Sequence, residues 1–245
     1  MHFSKNSQMS GNTHSTRTKI FLKFFYFSVL LLFLACTSDQ KEKKKGINPE
    51  PINQIEKKKP ESKKRIVVFG DSLTAGYGLE DINDAFPGVL QRMIDSLQLN
   101  YSVVNSGVSG ETSAGGKNRI DWILSSKPDI FILELGGNDG LRGVPLTETK
   151  KNLQFIIDRV QEKYPECELI LAGMQIPPNL GQEYTSTFKN LYPDLAKSNQ
   201  VKLIPFLLDG VGGVQELNQS DGIHPTKKGH KILALNVWKV LKPLL

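Results

Sequence analysis

Acid–base chemistry near neutral pH falls most often to histidine. Of the four histidines in this chain of 245 residues, two lie beyond residue 65, His224 and His230. His230 stands inside an amphipathic C-terminal stretch and reads as a surface or packing residue. His224 stands in the loop Asp221-Gly222-Ile223-His224, where a carboxylate three residues earlier can reach the imidazole and fix its tautomer. That pair is the orienting and basic half of a hydrolytic triad. The nucleophile then has to come from another loop. Ser72, in Gly70-Asp71-Ser72-Leu73, follows an apolar run and opens a turn where backbone amides can face an anion. Ser109 and Ser113 are weaker rivals. A lone serine after a strand is most often structural; the glycine-rich turns and the single candidate base are what raise Ser72. Acyl transfer also needs donors for a developing oxyanion. Gly110 offers an unobstructed backbone N–H and Asn138 a side-chain amide. Singly these read as a loop glycine and a turn-closing asparagine, but with Ser72 and His224 they make a set.

Other chemistries fit poorly. Two histidines, no cysteine cluster and no His-Glu-x-x-His leave no common zinc arrangement, so no metal and no cofactor are expected. Gly110–Asn118 is glycine-rich and holds Lys117. A phosphate-binding P-loop needs Gly at 111 and Ser or Thr at 118, where Glu111 and Asn118 stand. No Gly-x-Gly-x-x-Gly opens a helix. The Gly-x-Ser-x-Gly elbow of ordinary α/β-hydrolases is missing around Ser72.

These residues need a scaffold that gathers distant loops. Apolar runs at Arg65–Phe69, Ser102–Asn105, Asp129–Leu135, Glu168–Met174 and Val201–Pro205 are hydrophobic on both pleat faces, as strands of a covered parallel sheet are. Amphipathic stretches alternate with them at Ala85–Leu97, Ala114–Ser125, Thr147–Tyr164, Tyr184–Ser198 and Thr226–Leu241, with Thr147 and Thr226 as N-caps. Five such units predict right-handed crossovers and an α/β fold, a three-layer α/β/α sandwich on a five-stranded parallel sheet. Ligands of open α/β sheets bind beyond the carboxyl ends of the strands, where all the residues named above fall.

Two segments precede that domain. Residues 1–35 end in twelve mostly apolar residues, Phe24–Ala35, too few for a membrane span of about 20. After basic residues they read as a secretory signal. Cys36 follows Leu34-Ala35 and resembles the lipobox of bacterial lipoproteins, so lipidation at Cys36 and an envelope location, lipid-anchored and facing the periplasm or exterior, are expected; without lipidation the chain is secreted. Residues 36–64 are rich in Lys, Glu, Pro, Asn and Ser and read as a disordered tether. Residues 65–245 form the domain. The net charge of +6 belongs to the first two segments: residues 1–35 carry +4, residues 36–65 carry +5, and residues 66–245 carry −3. No nucleic-acid partner is indicated. Cys167, between a helix and a strand, reads as a packed small residue.

The four loops together resemble the SGNH (GDSL) hydrolases. Gly70-Asp71-Ser72-Leu73, Ser109-Gly110-Glu111-Thr112-Ser113, Gly136-Gly137-Asn138-Asp139 and Asp221-Gly222-Ile223-His224-Pro225 match that family's blocks in order. The stretch from Glu134 to Gly143 is similar to the thioesterase I/protease I/lysophospholipase L1 branch. The resemblance implies a flavodoxin-like fold and a serine esterase acting on acyl esters or thioesters such as a lysophospholipid. It implies Ser72 as nucleophile, His224 as general base and acid, Asp221 as its orienting group, and an oxyanion hole from the Ser72 and Gly110 amides with the Asn138 side chain. It also implies that Leu79–Ala85 and Gln175–Tyr184 line the acyl pocket. The alternatives are a carbohydrate O-deacetylase of the same superfamily and a non-catalytic envelope-binding lipoprotein.

Overall fold

A computed structural model describes residues 62–245. The signal segment, Cys36 and nearly all of the tether lie outside the described residues. Chain order gives β1 (Lys64–Gly70), α1 (Ser72–Ala75), α2 (Phe86–Ser96), β2 (Tyr101–Gly107), α3 (Ser113–Ile123) and β3 (Ile130–Glu134). There follow α4 (Gly137–Leu141), α5 (Leu146–Lys163), β4 (Glu168–Ala172), α6 (Gln182–Asn199), β5 (Lys202–Ile204) and α7 (Lys227–Leu241).

The five strands form one parallel sheet in the order β2-β1-β3-β4-β5. Central strands β1 and β3 are buried on both faces: Ile66, Val67, Val68 and Phe69 of β1 stand beside Ile130, Phe131, Ile132 and Leu133 of β3. Helices cover both faces, as hydrophobicity on both sides of the pleat requires. On one side α2 packs with α7; on the other α3 packs with α5, and α5 with α6. The expected α/β/α sandwich is the fold.

Differences from expectation are local. Thr226 caps α7, its side chain accepting from the Gly229 N–H. Thr147 does not cap α5. That helix begins at Leu146 behind Pro145, with no side-chain cap, and Thr147 lies inside its first turn. The proline's fixed φ of −51° already sets the entry angle. Strands β3, β4 and β5 stop short of Leu135, Met174 and Pro205. Those residues leave the ladder and turn toward the loops at the carboxyl edge, where Leu135 and Met174 stay buried. Two short helices, α1 and α4, carry no readable periodicity, and they hold Ser72 and Asn138.

No helix among the described residues is long and apolar enough to cross a membrane. Chain order reverses at β1, which has β2 on one side and β3 on the other. Such a switch point opens a crevice at the strands' carboxyl ends.

Candidate active site

Ser72 is the first residue of α1, immediately beyond β1, and only 8% of its surface is exposed. Asp71 caps that short helix, its Oδ1 accepting from the Leu73 N–H at 3.0 Å. The cap starts the helix at Ser72 and directs the hydroxyl to the sheet's edge. His224, from the loop between β5 and α7, brings its Nε2 to 2.9 Å from Ser72 Oγ. Its Nδ1 lies 2.7 Å from Asp221 Oδ2. A carboxylate there selects the Nδ1–H tautomer and leaves Nε2 to accept from the Ser72 hydroxyl. Asp221 Oδ1 accepts the N–H groups of Ile223 and His224, each at 3.0 Å. The His224 N–H foremost, with that residue's ring and the Ile223 N–H, holds the Asp221 carboxyl down at about 2. The Tyr77 ring leans on the imidazole, with centroids 4.6 Å apart. Gln219 braces both, its N–H donating to the His224 carbonyl at 2.7 Å and its Nε2 to the Tyr77 carbonyl at 2.7 Å.

Two further loops face Ser72. Gly110 has φ of +79°, a conformation that suits glycine, although a Cβ would meet nothing closer than Arg142 Nη2 at 3.6 Å. The Gly110 carbonyl accepts from Arg142 at 3.0 Å, and Gly110 lines the cleft. Among the described residues, the N–H groups of Ser72 and Gly110 donate to no other protein group. Asn138, second residue of α4, donates through Nδ2 to Asp71 Oδ2 and to the Glu111 carbonyl, each at 3.0 Å. Gly136, before α4, has φ of +105° and no room for a side chain, because a Cβ would lie 2.4 Å from Tyr192 Oη. The Gly110 loop is anchored by the Glu111–Arg119 ion pair, and Arg119 also donates to the Ser106 carbonyl at 2.9 Å.

The rivals have other occupations. Ser113 is fully buried and hydrogen-bonds Asp139 through both N–H and hydroxyl, tying the Gly110 loop to α4. Ser109 lines the cleft without a basic partner. His230 is buried, its Nδ1 accepting the Phe86 N–H at 3.2 Å, and burial pulls its pKa down to about 4. It is a packing residue. Cys167 is half-buried and has no disulfide partner among the described residues, and burial pushes its thiol up to about 12, which fits the packing reading. No three His, Cys, Asp or Glu side chains are grouped to share a metal ion among the described residues.

Beneath Ser72 lie two buried carboxyls. Glu134, fully buried at the end of β3, accepts the Asp71 N–H at 3.1 Å and the Thr74 hydroxyl at 2.7 Å through Oε2. Its Oε1 has no partner. Burial and then the charge of Asp71 push its pKa well up. Burial also pushes Asp71 up to about 6, against the Leu73 N–H and the charge of His224. Neither residue was singled out by sequence, although an acid closing the apolar run Ile130–Leu135 was a signal.

A cleft of about 670 Å³ opens over Ser72, Gly110, Asn138 and His224. Met174, Ile176, Pro177 and Pro178 form one wall, while Phe206 and Leu208 come from the loop after β5. The expectation for Gln175–Tyr184 holds in its first four residues. Leu79–Ala85 does not line the cleft. That segment packs toward α2 and α7, with Asp84 bonded to Lys227 Nζ at 2.8 Å. The loop after β5 was missed because its apolar residues follow no strand or helix period.

In comparison with known proteins, the chain is similar to acyl hydrolases. Residues 68–232 match the profile of the GDSL-like lipase/acylhydrolase family. Esterase TesA of Pseudomonas aeruginosa is 40% identical over 181 residues, covering 74% of this chain and 89% of that protein. Thioesterase 1/protease 1/lysophospholipase L1 of Escherichia coli is 37% identical over the same length, 84% of its chain. The crystal structure of TesA superposes with a TM-score of 0.71 over 74% of this chain and all of that one, at 40% identity.

Proposed function

Because the chain belongs to the GDSL-like lipase/acylhydrolase family and is a serine hydrolase of esters and thioesters, we propose that Ser72 is its nucleophile, His224 its proton carrier and Asp221 the group that orients the imidazole. The observation that carries this reading is the row Ser72 Oγ–His224 Nε2, 2.9 Å, and His224 Nδ1–Asp221 Oδ2, 2.7 Å. Ser72 Oγ attacks the acyl carbonyl carbon as its proton passes to Nε2. The oxyanion forms against the N–H groups of Ser72 and Gly110 and the Asn138 amide. Collapse expels the alcohol or thiol, which takes the proton from Nε2 and leaves the acyl group on Ser72. Water repeats the sequence and releases the carboxylic acid.

The substrate is an ester or thioester of a medium or long acyl chain, a lysophospholipid among them. The wall of Met174, Ile176, Phe206 and Leu208 supports this, since an alkyl chain gains about 0.8 kcal/mol per buried methylene while a sugar gains little there. A sugar O-deacetylase calls for a polar cleft. We also place the enzyme on the cell envelope, lipid-anchored through Cys36, a reading supported by Leu34-Ala35-Cys36 and the segment before it.

The test is hydrolysis of p-nitrophenyl esters from acetyl to palmitoyl, with a lysophospholipid and an acyl thioester, by the wild type and Ser72→Ala. Turnover that depends on Ser72 and favours medium or long chains is expected. Unaltered turnover in Ser72→Ala removes the mechanism, and acetyl-only turnover removes the substrate assignment. Mass spectrometry of the envelope form, against Cys36→Ala, tests the anchor.

A further inference from the structure

Asp71 does more than cap α1. An N-cap needs one acceptor, which Ser or Asn supplies as well as Asp does. Here Oδ1 alone performs that task for the Leu73 N–H. The second oxygen reaches across 67 residues of sequence to Asn138 Nδ2 at 3.0 Å. The residue is 3% exposed, and its own N–H is pinned by Glu134 Oε2 at 3.1 Å, so the carboxylate has a fixed seat. A carboxylate in that place is costly to the fold, because burial foremost, and then the charge of Glu111, oppose its ionisation. Capping alone gives no reason to keep it.

Asn138 has two interchangeable-looking ends, an amide nitrogen that donates and an oxygen that accepts. An oxyanion needs the nitrogen. Between the Ser72 loop and the Gly110 loop that nitrogen meets Asp71 Oδ2 on one side and the Glu111 carbonyl on the other. An ionised carboxylate and a carbonyl can only accept. Rotating the amide by half a turn sets its oxygen against both and leaves it without a donor. Building on the assignment of Asn138 as an oxyanion donor, we propose that Asp71 is a positioning residue for the hydrolysis, its carboxylate holding the Asn138 amide nitrogen toward the reacting carbonyl. In the substrate-free enzyme the two amide hydrogens go to Asp71 and Glu111. As negative charge develops on the substrate, the oxyanion outcompetes the neutral Glu111 carbonyl for one of them, while the bond to Asp71 persists and keeps the group aimed.

Asp71→Asn breaks this device at equal size. Its oxygen can still cap Leu73, and its new amide nitrogen then faces the Asn138 nitrogen, two donors opposed. The experiment is a double-mutant cycle of Asp71→Asn and Asn138→Ala, with kcat and KM measured on a medium-chain p-nitrophenyl ester. Asp71→Asn is expected to lower kcat about tenfold with KM unchanged, part of the 10²–10³ that losing an oxyanion donor outright costs. In the Asn138→Ala background the same substitution is expected to change kcat less than twofold, because the group it positions is gone. A purely structural role for Asp71 predicts equal losses in both backgrounds, and that result overturns the proposal while leaving Asn138 in place. Asn138→Ala as fast as the wild type overturns the oxyanion assignment and this inference with it. Asp71→Ser, whose hydroxyl keeps the cap but is too short to hold Asn138, gives the same cycle should Asp71→Asn fail to fold.

Discussion

Removing the Asp221 carboxylate should slow this enzyme far less than removing Ser72 or His224. In the proposed mechanism the imidazolium that forms on His224 is stabilised by Asp221, whose Oδ2 lies 2.7 Å from Nδ1. Charges about 4 Å apart interact by about 4 kcal/mol at an effective dielectric of about 20 and by about 1 kcal/mol in water. The Asp221 side chain is 38% exposed and His224 only 18%, so solvent screens the pair from one side and can replace part of what is lost. The contribution to the barrier is then about 1–3 kcal/mol, and Asp221→Ala should lower kcat roughly 5- to 150-fold. In serine proteases, altering the triad aspartate to Asn costs about 10⁴ through the wrong tautomer, a loss that Asp221→Ala does not carry. Asp221→Asn should be worse than Asp221→Ala here, since an amide nitrogen facing Nδ1 selects the wrong tautomer. The assay is the initial rate on p-nitrophenyl octanoate at pH 8, with thermal unfolding to show that the loop survives. A 10⁴-fold loss in Asp221→Ala, or a loss under twofold, refutes the argument from exposure. The carboxyl, held at about 2, stays ionised across the working range. Its stabilising contribution is complete above the unfolded pKa near 3.9 and is lost only as pH falls toward 2.

Ser72→Ala and His224→Ala should each lower kcat by about 10³ or more with the melting temperature nearly unchanged, read from esterase rates and thermal unfolding. Lengthening the acyl chain from acetyl to octanoyl should raise kcat/KM about twofold per methylene, half the full burial value of about 0.8 kcal/mol because the cleft is open along one side; a flat series contradicts the apolar-wall argument. His230, held neutral with its pKa depressed to about 4, should make the fold lose stability as pH falls from about 6.5 to 4, since the unfolded chain takes up the proton first. His230→Gln should shrink that loss in denaturant titrations at the two pH values. Asp71, raised to about 6, acts in the opposite direction: the folded state holds the extra proton between about pH 4 and 6, so its penalty appears as pH rises through that window. Asp71→Asn should therefore shift the melting temperature more favourably at pH 8 than at pH 4, while slowing turnover; a less favourable shift at pH 8 than at pH 4 contradicts the burial argument.

The strands and long helices were readable because each repeats a local physical rule many times. Ile66–Phe69 and Ile130–Leu133 are apolar at every position because both faces of the central strands are covered. The five long helices show an apolar stripe because each packs one side on the sheet. The expected Thr147 cap was misplaced because a proline can begin a helix without a side-chain acceptor. The helices that carry Ser72 and Asn138, four and five residues long, are shorter than any period can reveal. Leu79–Ala85 stays away from the cleft and the loop after β5 lines it, because loop paths answer to packing across the sheet.

Residue chemistry and strand order were enough to name Ser72, Gly110, Asn138, Asp221 and His224 as candidates that the fold brings to one cleft, because few residues can do acyl transfer and a parallel sheet delivers its loops to one edge. Asp221 and His224 are three residues apart, so even their contact is local. The contact of His224 with Ser72 spans 152 residues, and that of Asn138 with Asp71 spans 67. Tertiary structure alone decided those, along with the burial that perturbs Asp71, Glu134 and His230. A hydrogen bond depends on ångströms between side chains and a pKa on exclusion of water, and both are set by how the layers close around the sheet.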